Sequence, residues 1–142
     1  MPVRLALVSF LVLATAAGAV ELRSIDVRVG TDGLISVPLS VSNAASVPMV
    51  CIGELAHWYS AELARAAAGE TALVELWFDP QSGTYTVLND KRENMPVEAL
   101  WCGLAGRSYE TRGQILLERR PGKAPTALAL TCTVRDGRLD CR

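Results

Sequence analysis

Apolar side chains recur at every second position over much of this chain, the period of half-buried strands. Across 23–41 the series runs Ile25, Val27, Val29, then Ile35, Val37, Leu39, Val41. A three-residue loop, Thr31-Asp32-Gly33, with Gly33 left-handed, predicts a hairpin pairing Val29 with Ile35, Val27 with Val37 and Ile25 with Leu39. A slip of one residue would set apolar side chains against polar ones, so the pattern selects the register. Pro38 has no N–H to donate and predicts an edge at that point. A second hairpin is expected over 72–89, turning at Pro80-Gln81-Ser82-Gly83 and pairing Phe78 with Tyr85 and Leu76 with Val87. Further strands are expected at 113–118 and 127–135, joined by Pro121-Gly122-Lys123-Ala124-Pro125, with Leu128, Leu130, Cys132 and Val134 on one face.

The last twelve residues carry the strongest local signal. Asp136-Gly137 is the dipeptide favoured by a two-residue type I′ turn, whose central residues both need φ > 0. That turn pairs Arg135 with Arg138, Val134 with Leu139, Thr133 with Asp140 and Cys132 with Cys141. Arg135/Arg138 closes the turn as a hydrogen-bonded pair. Alternation then makes Cys132/Cys141 a non-hydrogen-bonded pair, where side chains approach most closely, a spacing that suits a disulfide. Four cysteines allow three connectivities, and this register leaves Cys51 to pair with Cys102. The longer bridge is the stronger constraint, on the order of 4 kcal/mol by chain entropy.

The segment 46–69 reads two ways. Met49, Ile52, Ala56, Tyr59, Leu63 and Ala66 recur at helical spacing, and 61–68 has high helix propensity ending at Gly69. Against this, 47–52 is short, apolar and β-branched, and Gly53 would interrupt a long helix. The expectation is a strand from Pro48 to Tyr59 followed by a short helical connection at Glu62–Ala68. The alternative is an α+β fold, with one helix over 54–68 packed on an antiparallel sheet.

Short strands separated by turn signals predict an all-β antiparallel β-sandwich. The run from Val37 to Trp58 carries a strand ending in Val41-Ser42-Asn43, a small-residue turn and a strand with Cys51. It resembles the second and third strands of immunoglobulin-like export modules. Ala68-Gly69-Glu70-Thr71, followed by alternating apolar residues, is similar to such modules too. The resemblance implies an immunoglobulin-like sandwich and no activity.

Residues 1–19 read as a secretory signal: Arg4 is the positive flank, 5–13 the apolar run, and Ala17-Gly18-Ala19 the small-residue cleavage pattern. Nine apolar-biased residues fall well short of the roughly 20 that span a bilayer, so stable membrane insertion after signal removal is not expected. The expected product is one exported domain, 20–142, periplasmic or secreted. Without Arg4 it holds 13 basic and 15 acidic residues, a net charge of −2. With no basic face in sequence order, nucleic acid is not an expected partner.

Candidate chemistry is sparse. His57 is the only histidine, and Cys102 in Trp101-Cys102-Gly103 is the one candidate nucleophile. Its pairing with Cys51 removes that role. Met49, Cys51, His57 and Met95 are soft donors but lack a copper-site spacing, and one histidine makes a zinc site improbable. Gly103-Leu104-Ala105-Gly106-Arg107-Ser108 lacks the lysine of a phosphate loop. Glu54, Glu62, Glu70 and Glu75 show no paired-carboxylate spacing. No catalytic residue, metal or cofactor is expected. The aromatic residues say more. Trp77 alternates with Leu76 and Phe78 and should project outward beside Glu75 and Thr86. Trp101, Met95, Arg107 and Tyr109 flank Cys102 in expected disulfide-tethered loops. These five form the candidate interaction surface of a non-enzymatic binding or accessory module that contacts another envelope protein. A small ligand or metal carrier, or a cysteine-based enzyme or redox protein, are the alternatives.

Overall fold

The computed structural model describes residues 26–56, 59–123 and 125–142. The signal segment 1–19, Ile25, His57 and Trp58 lie outside the described residues. Among the described residues nine strands form: β1 Ile35–Asn43, β2 Met49–Leu55, β3 Tyr59–Ala66, β4 Thr71–Asp79, β5 Thr84–Leu88, β6 Asn94–Leu104, β7 Gly113–Ile115, β8 Leu128–Arg135 and β9 Arg138–Cys141. The expected all-β architecture is observed. The strands build two layers linked through β6. One layer runs β9-β8-β1-β4-β5 and ends on the first residues of β6; the other is β3-β2-β6-β7. All pairs are antiparallel except β1 with β8, which is parallel.

The two layers face each other with the alternating apolar positions inward. Val37, Leu39 and Val41 of β1 and Val74, Leu76 and Phe78 of β4 are buried. They meet Met49, Cys51, Val97, Leu100 and Cys102 in one cluster. Phe78 and Tyr85 pair as expected, with ring centroids 5.2 Å apart in an edge-on arrangement. The Tyr85 hydroxyl donates to the Glu118 carbonyl at 3.2 Å, which satisfies the polar tip of a buried ring.

The C-terminal hairpin has the expected register throughout. Asp136 and Gly137 have φ of 50° and 76°. Thr131 and Arg142 exchange both backbone bonds, at 2.7 and 3.1 Å, so Cys132/Cys141 is the close, non-hydrogen-bonded pair. Both expected bridges are present: Cys132–Cys141 and Cys51–Cys102, each between directly opposed residues.

Three expectations are corrected. First, no helix forms among the described residues, so the short helical connection at 62–68 and the alternative helix over 54–68 are both replaced by strand β3. High helix propensity is outweighed by pairing with β2, where Ala64 faces Cys51 and Ala66 faces Met49. Leu63 is the extra residue of a bulge, and its side chain lies over Gly53, where an added Cβ would meet Leu63 Cδ1 at 2.7 Å. Gly53 therefore serves a close packing contact in a strand. Second, the strand expected from Pro48 to Tyr59 ends at Leu55. Third, the N-terminal hairpin does not close. The turn is present, with Leu34 N–H on the Thr31 carbonyl and Gly33 at φ 76°, but Val29 bridges Glu93 instead of Ile35. Both edges of β1 are taken by β4 and β8, which offer longer apolar alternation. β8 joins only from Leu39, so among the described residues Pro38 is paired on one side alone, with Glu75 of β4, in keeping with its missing N–H.

One buried polar residue holds a corner of the sandwich. Asn43, 1% exposed, donates Nδ2 to the carbonyls of Val47, Ala66 and Ala67 at 2.9, 3.2 and 3.0 Å. Its Oδ1 accepts from Ala45 N–H at 3.0 Å. It thus ties the β1–β2 turn to the β3–β4 connection.

Candidate binding surface

Strand β6 carries Trp101 on the outward side of its sheet, opposite Ile52 of β2 and Gln114 of β7. An outward tryptophan should be exposed, yet Trp101 is buried at 6%. The loop after β6 covers it. Tyr109 sets its ring edge-on to the indole, at 6.3 Å and 81°. The indole N–H donates to Glu54 Oε1 at 3.2 Å.

The loop is fixed at both ends. Thr111 accepts from Leu104 N–H and donates to the Arg107 carbonyl, both at 2.8 Å, using both capacities of its hydroxyl. The Thr111 carbonyl accepts from Leu139 N–H of β9 at 2.8 Å. Gly103 permits this path: an added Cβ would collide with the Ser108 backbone. Gly113 likewise lets β7 lie against β9, because a Cβ there would strike the Leu139 carbonyl.

Tyr109 is 66% exposed and still held in place. The Arg112 guanidinium lies 3.9 Å from the ring centroid, and its Nη1 donates to the Tyr109 carbonyl at 3.0 Å. Such a cation–π contact is worth about 0.5–1 kcal/mol at an exposed site. The result is a fixed aromatic, two exposed or half-exposed arginines (Arg107, Arg112) and the Glu54 carboxylate, on the face of the sheet opposite the buried Cys51–Cys102 bridge.

Of the five expected contact residues, Trp101, Arg107 and Tyr109 belong to this surface. Met95 does not; it faces Val87 at the start of β6 and packs on the core. Trp77 is on the outward side of the other sheet, beside Thr86 as expected, and its other neighbour across the sheet is Ser36 of β1. It is half-buried, and Thr86 beside it is buried.

Met95 lines a separate open cleft of about 270 Å³, with Val27, Leu34, Thr84, Thr86 and Pro96 among its walls. The cleft forms where the 26–30 segment docks on β6 through Asn94 N–H to the Arg28 carbonyl at 2.8 Å and Asn94 Nδ2 to the Gly30 carbonyl at 2.6 Å. At its rim Arg28 Nη1 donates to Asp79 Oδ2 at 3.2 Å. The Gln81 N–H bonded to Asp79 Oδ1 at 2.9 Å holds that carboxyl below its usual range. Partial burial opposes the shift, while the Ser82 hydroxyl and N–H and the Arg28 charge assist it.

Glu54 and Arg112 were not singled out from the sequence as contact residues. A signal for Glu54 existed. Opposing Cys51 to Cys102 sets Ile52 opposite Trp101 and Glu54 opposite Ala99. That leaves Glu54 one pleat from an indole in need of an acceptor. Arg112 carried no such signal. Among the described residues no cysteine is free, so Cys102 offers no nucleophile in this form. Comparison with known protein families, curated proteins and solved structures returned no match.

Proposed function

We propose that the chain is a non-enzymatic exported binding or accessory module that contacts another envelope protein through the Trp101–Tyr109–Arg112 surface. One observation carries the reading: Tyr109 is exposed yet clamped by an indole edge, a guanidinium and a loop fixed by Thr111. Tyrosine, tryptophan and arginine are the residues that dominate binding energy at interfaces, and an aromatic ordered before binding loses little entropy on docking. Two disulfides suit the oxidising compartment that the signal-like segment implies. The cleft beside Met95 supports a ligand carrier less well. At about 270 Å³ it falls below the roughly 300–1,000 Å³ of typical ligand pockets.

The test is affinity chromatography of envelope extract on the oxidised protein, followed by titration of the recovered partner against variants. Tyr109→Ala should weaken binding about 30-fold or more, the hot-spot threshold of ~2 kcal/mol, while stability falls by about 1–2.5 kcal/mol as the edge-on aromatic pair and the cation–π contact are lost. Unchanged affinity in Tyr109→Ala would remove this surface from the interface. Loss confined to Trp77→Ala would move the contact to the other sheet.

A further inference from the structure

The two disulfides belong to different layers, yet three of their four sulfurs lie close together. Cys51–Cys102 joins β2 to β6 in one layer, and Cys132–Cys141 joins β8 to β9 in the other. Cys51, Cys102 and Cys132 have no exposed surface. Cys141 is partly exposed. The sulfur atoms of Cys102, Cys132 and Cys141 all lie within 4.8 Å of one another.

We propose that the four cysteines form a single thiol–disulfide exchange site, opened through Cys141 by an external dithiol and able to move the partner of Cys102 from one layer to the other. Exchange proceeds by thiolate attack through a mixed disulfide, and access decides which sulfur is attacked. The donor's thiolate attacks Sγ of Cys141, the accessible sulfur. The Cys132–Cys141 bond breaks, and Cys132 leaves as thiolate. Cys132 then attacks Sγ of Cys102, forming Cys102–Cys132 and expelling Cys51 as thiolate, which takes a proton. The donor's second thiol resolves the mixed disulfide and frees Cys141 as thiol. In sum, one dithiol is oxidised to a disulfide, and the protein gains two electrons and two protons as the thiols of Cys51 and Cys141. One bridge remains, and it now ties β6 to β8 across the layers. Burial raises the pKa of a thiol and slows its attack, so the exchange runs on a timescale of about minutes to hours. The strand released is β9, whose Leu139 N–H holds the Thr111 carbonyl at the base of the Tyr109 loop.

The oxidised full-length protein is treated with one equivalent of dithiothreitol under native conditions, quenched with acid, alkylated and mapped by mass spectrometry. The expected single-bridge product joins Cys102 to Cys132, with Cys51 and Cys141 alkylated. Three results overturn the proposal: single-bridge molecules in which Cys102 is joined only to Cys51, exchange that occurs only in denaturant, or resistance of both bridges to the dithiol. Cys141→Ser tests the inner step without a reductant, because Cys132 is then already a free thiol. Appearance of an alkylated Cys51 supports the exchange, and alkylation confined to Cys132 refutes it. Should that variant fail to fold, Cys51→Ser leaves the Cys102 thiol facing the other bridge. Cys102 joined to Cys132 or Cys141 then supports the proposal, and alkylation confined to Cys102 refutes it.

Discussion

Asn43→Ala is the most informative single test of how the two layers are held in register. The substitution leaves the backbone ladder at the corner in place, because Asn43 N–H on Glu70 O (2.8 Å) and Gly69 N–H on Asn43 O (2.9 Å) are main-chain bonds. It removes only the side chain. Two amide hydrogens, shared among three carbonyls, and one accepting oxygen are lost. Each such bond contributes about 0.5–1.5 kcal/mol net, and a buried group left without a partner costs about 1–3 kcal/mol. Ala45, whose N–H loses its acceptor, is 8% exposed. The expected loss is about 3–4 kcal/mol, a large part of the roughly 5–15 kcal/mol that stabilises a typical domain. The assay is equilibrium urea denaturation of the oxidised protein followed by tryptophan fluorescence, with the midpoint falling at unchanged slope. Asn43→Asp separates donors from acceptor. It keeps an oxygen for Ala45 N–H but turns a second oxygen toward three carbonyls. Burial and those carbonyls raise the folded carboxyl's pKa above its unfolded value. The native state therefore disfavours the charge, and stability falls as pH rises through the folded pKa. Asn43→Asp should thus be less stable than Asn43→Ala at pH 7, with the gap closing in acid. A loss under about 1 kcal/mol in Asn43→Ala, or an aspartate variant more stable than the alanine one at pH 7, would refute the assignment of this corner to the side-chain amide.

Gly113→Ala places a methyl group against the Leu139 carbonyl and should separate β7 from β9; chemical denaturation is expected to show a loss of at least about 2 kcal/mol, toward the upper end for single substitutions. Asp79 has its folded pKa depressed by the Gln81 N–H. Its contribution is therefore present above the unfolded value near 3.8 and lost as pH falls through the folded one. Acid titration of stability should show a steeper decline in wild type than in Asp79→Asn, and parallel curves would discount the hydrogen bond. Trp77→Ala should cost about 1–3 kcal/mol, less than the roughly 3–5 kcal/mol of a fully buried large aromatic; urea melts distinguish the two, and a loss in the higher range would place Trp77 in the core.

Legibility in the sequence followed how local each decision was. The C-terminal hairpin was readable because the turn dipeptide, the alternation and two cysteines agree within twelve residues. The Phe78/Tyr85 hairpin was readable for the same reason, with four turn-forming residues between apolar series. The N-terminal hairpin does not follow from its turn, which forms, because the choice of partner for β1 is not local. Its alternation fits Val27 and Val29 as well as it fits β4 and β8. The competition goes to the strands that bury more, leaving Val27 and Val29 at 52% and 65% exposure. The Ala-rich segment departs from the local signal because propensity and a helical recurrence point one way, while the pairing that overrides them is set by β2.

The same distinction applies to the candidate surface. Once Cys51 opposes Cys102, strand geometry sets Trp101 and Glu54 on one outward face, so half of the surface follows from the cysteine spacing. The other half depends on a backbone path. The chain after Leu104 must turn back over its own strand closely enough for Tyr109 to reach the indole. That requires no Cβ at Gly103, a hydroxyl at Thr111 that both donates and accepts, and a donor from β9 for the Thr111 carbonyl. Each of these residues looks ordinary in sequence: a glycine after a cysteine, a threonine before an arginine, a leucine in the terminal hairpin. Their roles arise only when β6, β7 and β9 come together. The terminal hairpin was the most readable element of the chain. It is also what anchors the least readable one, because Leu139 of β9 carries the N–H that holds the loop. Loosening β9 should therefore free Tyr109 without touching any residue of the loop itself.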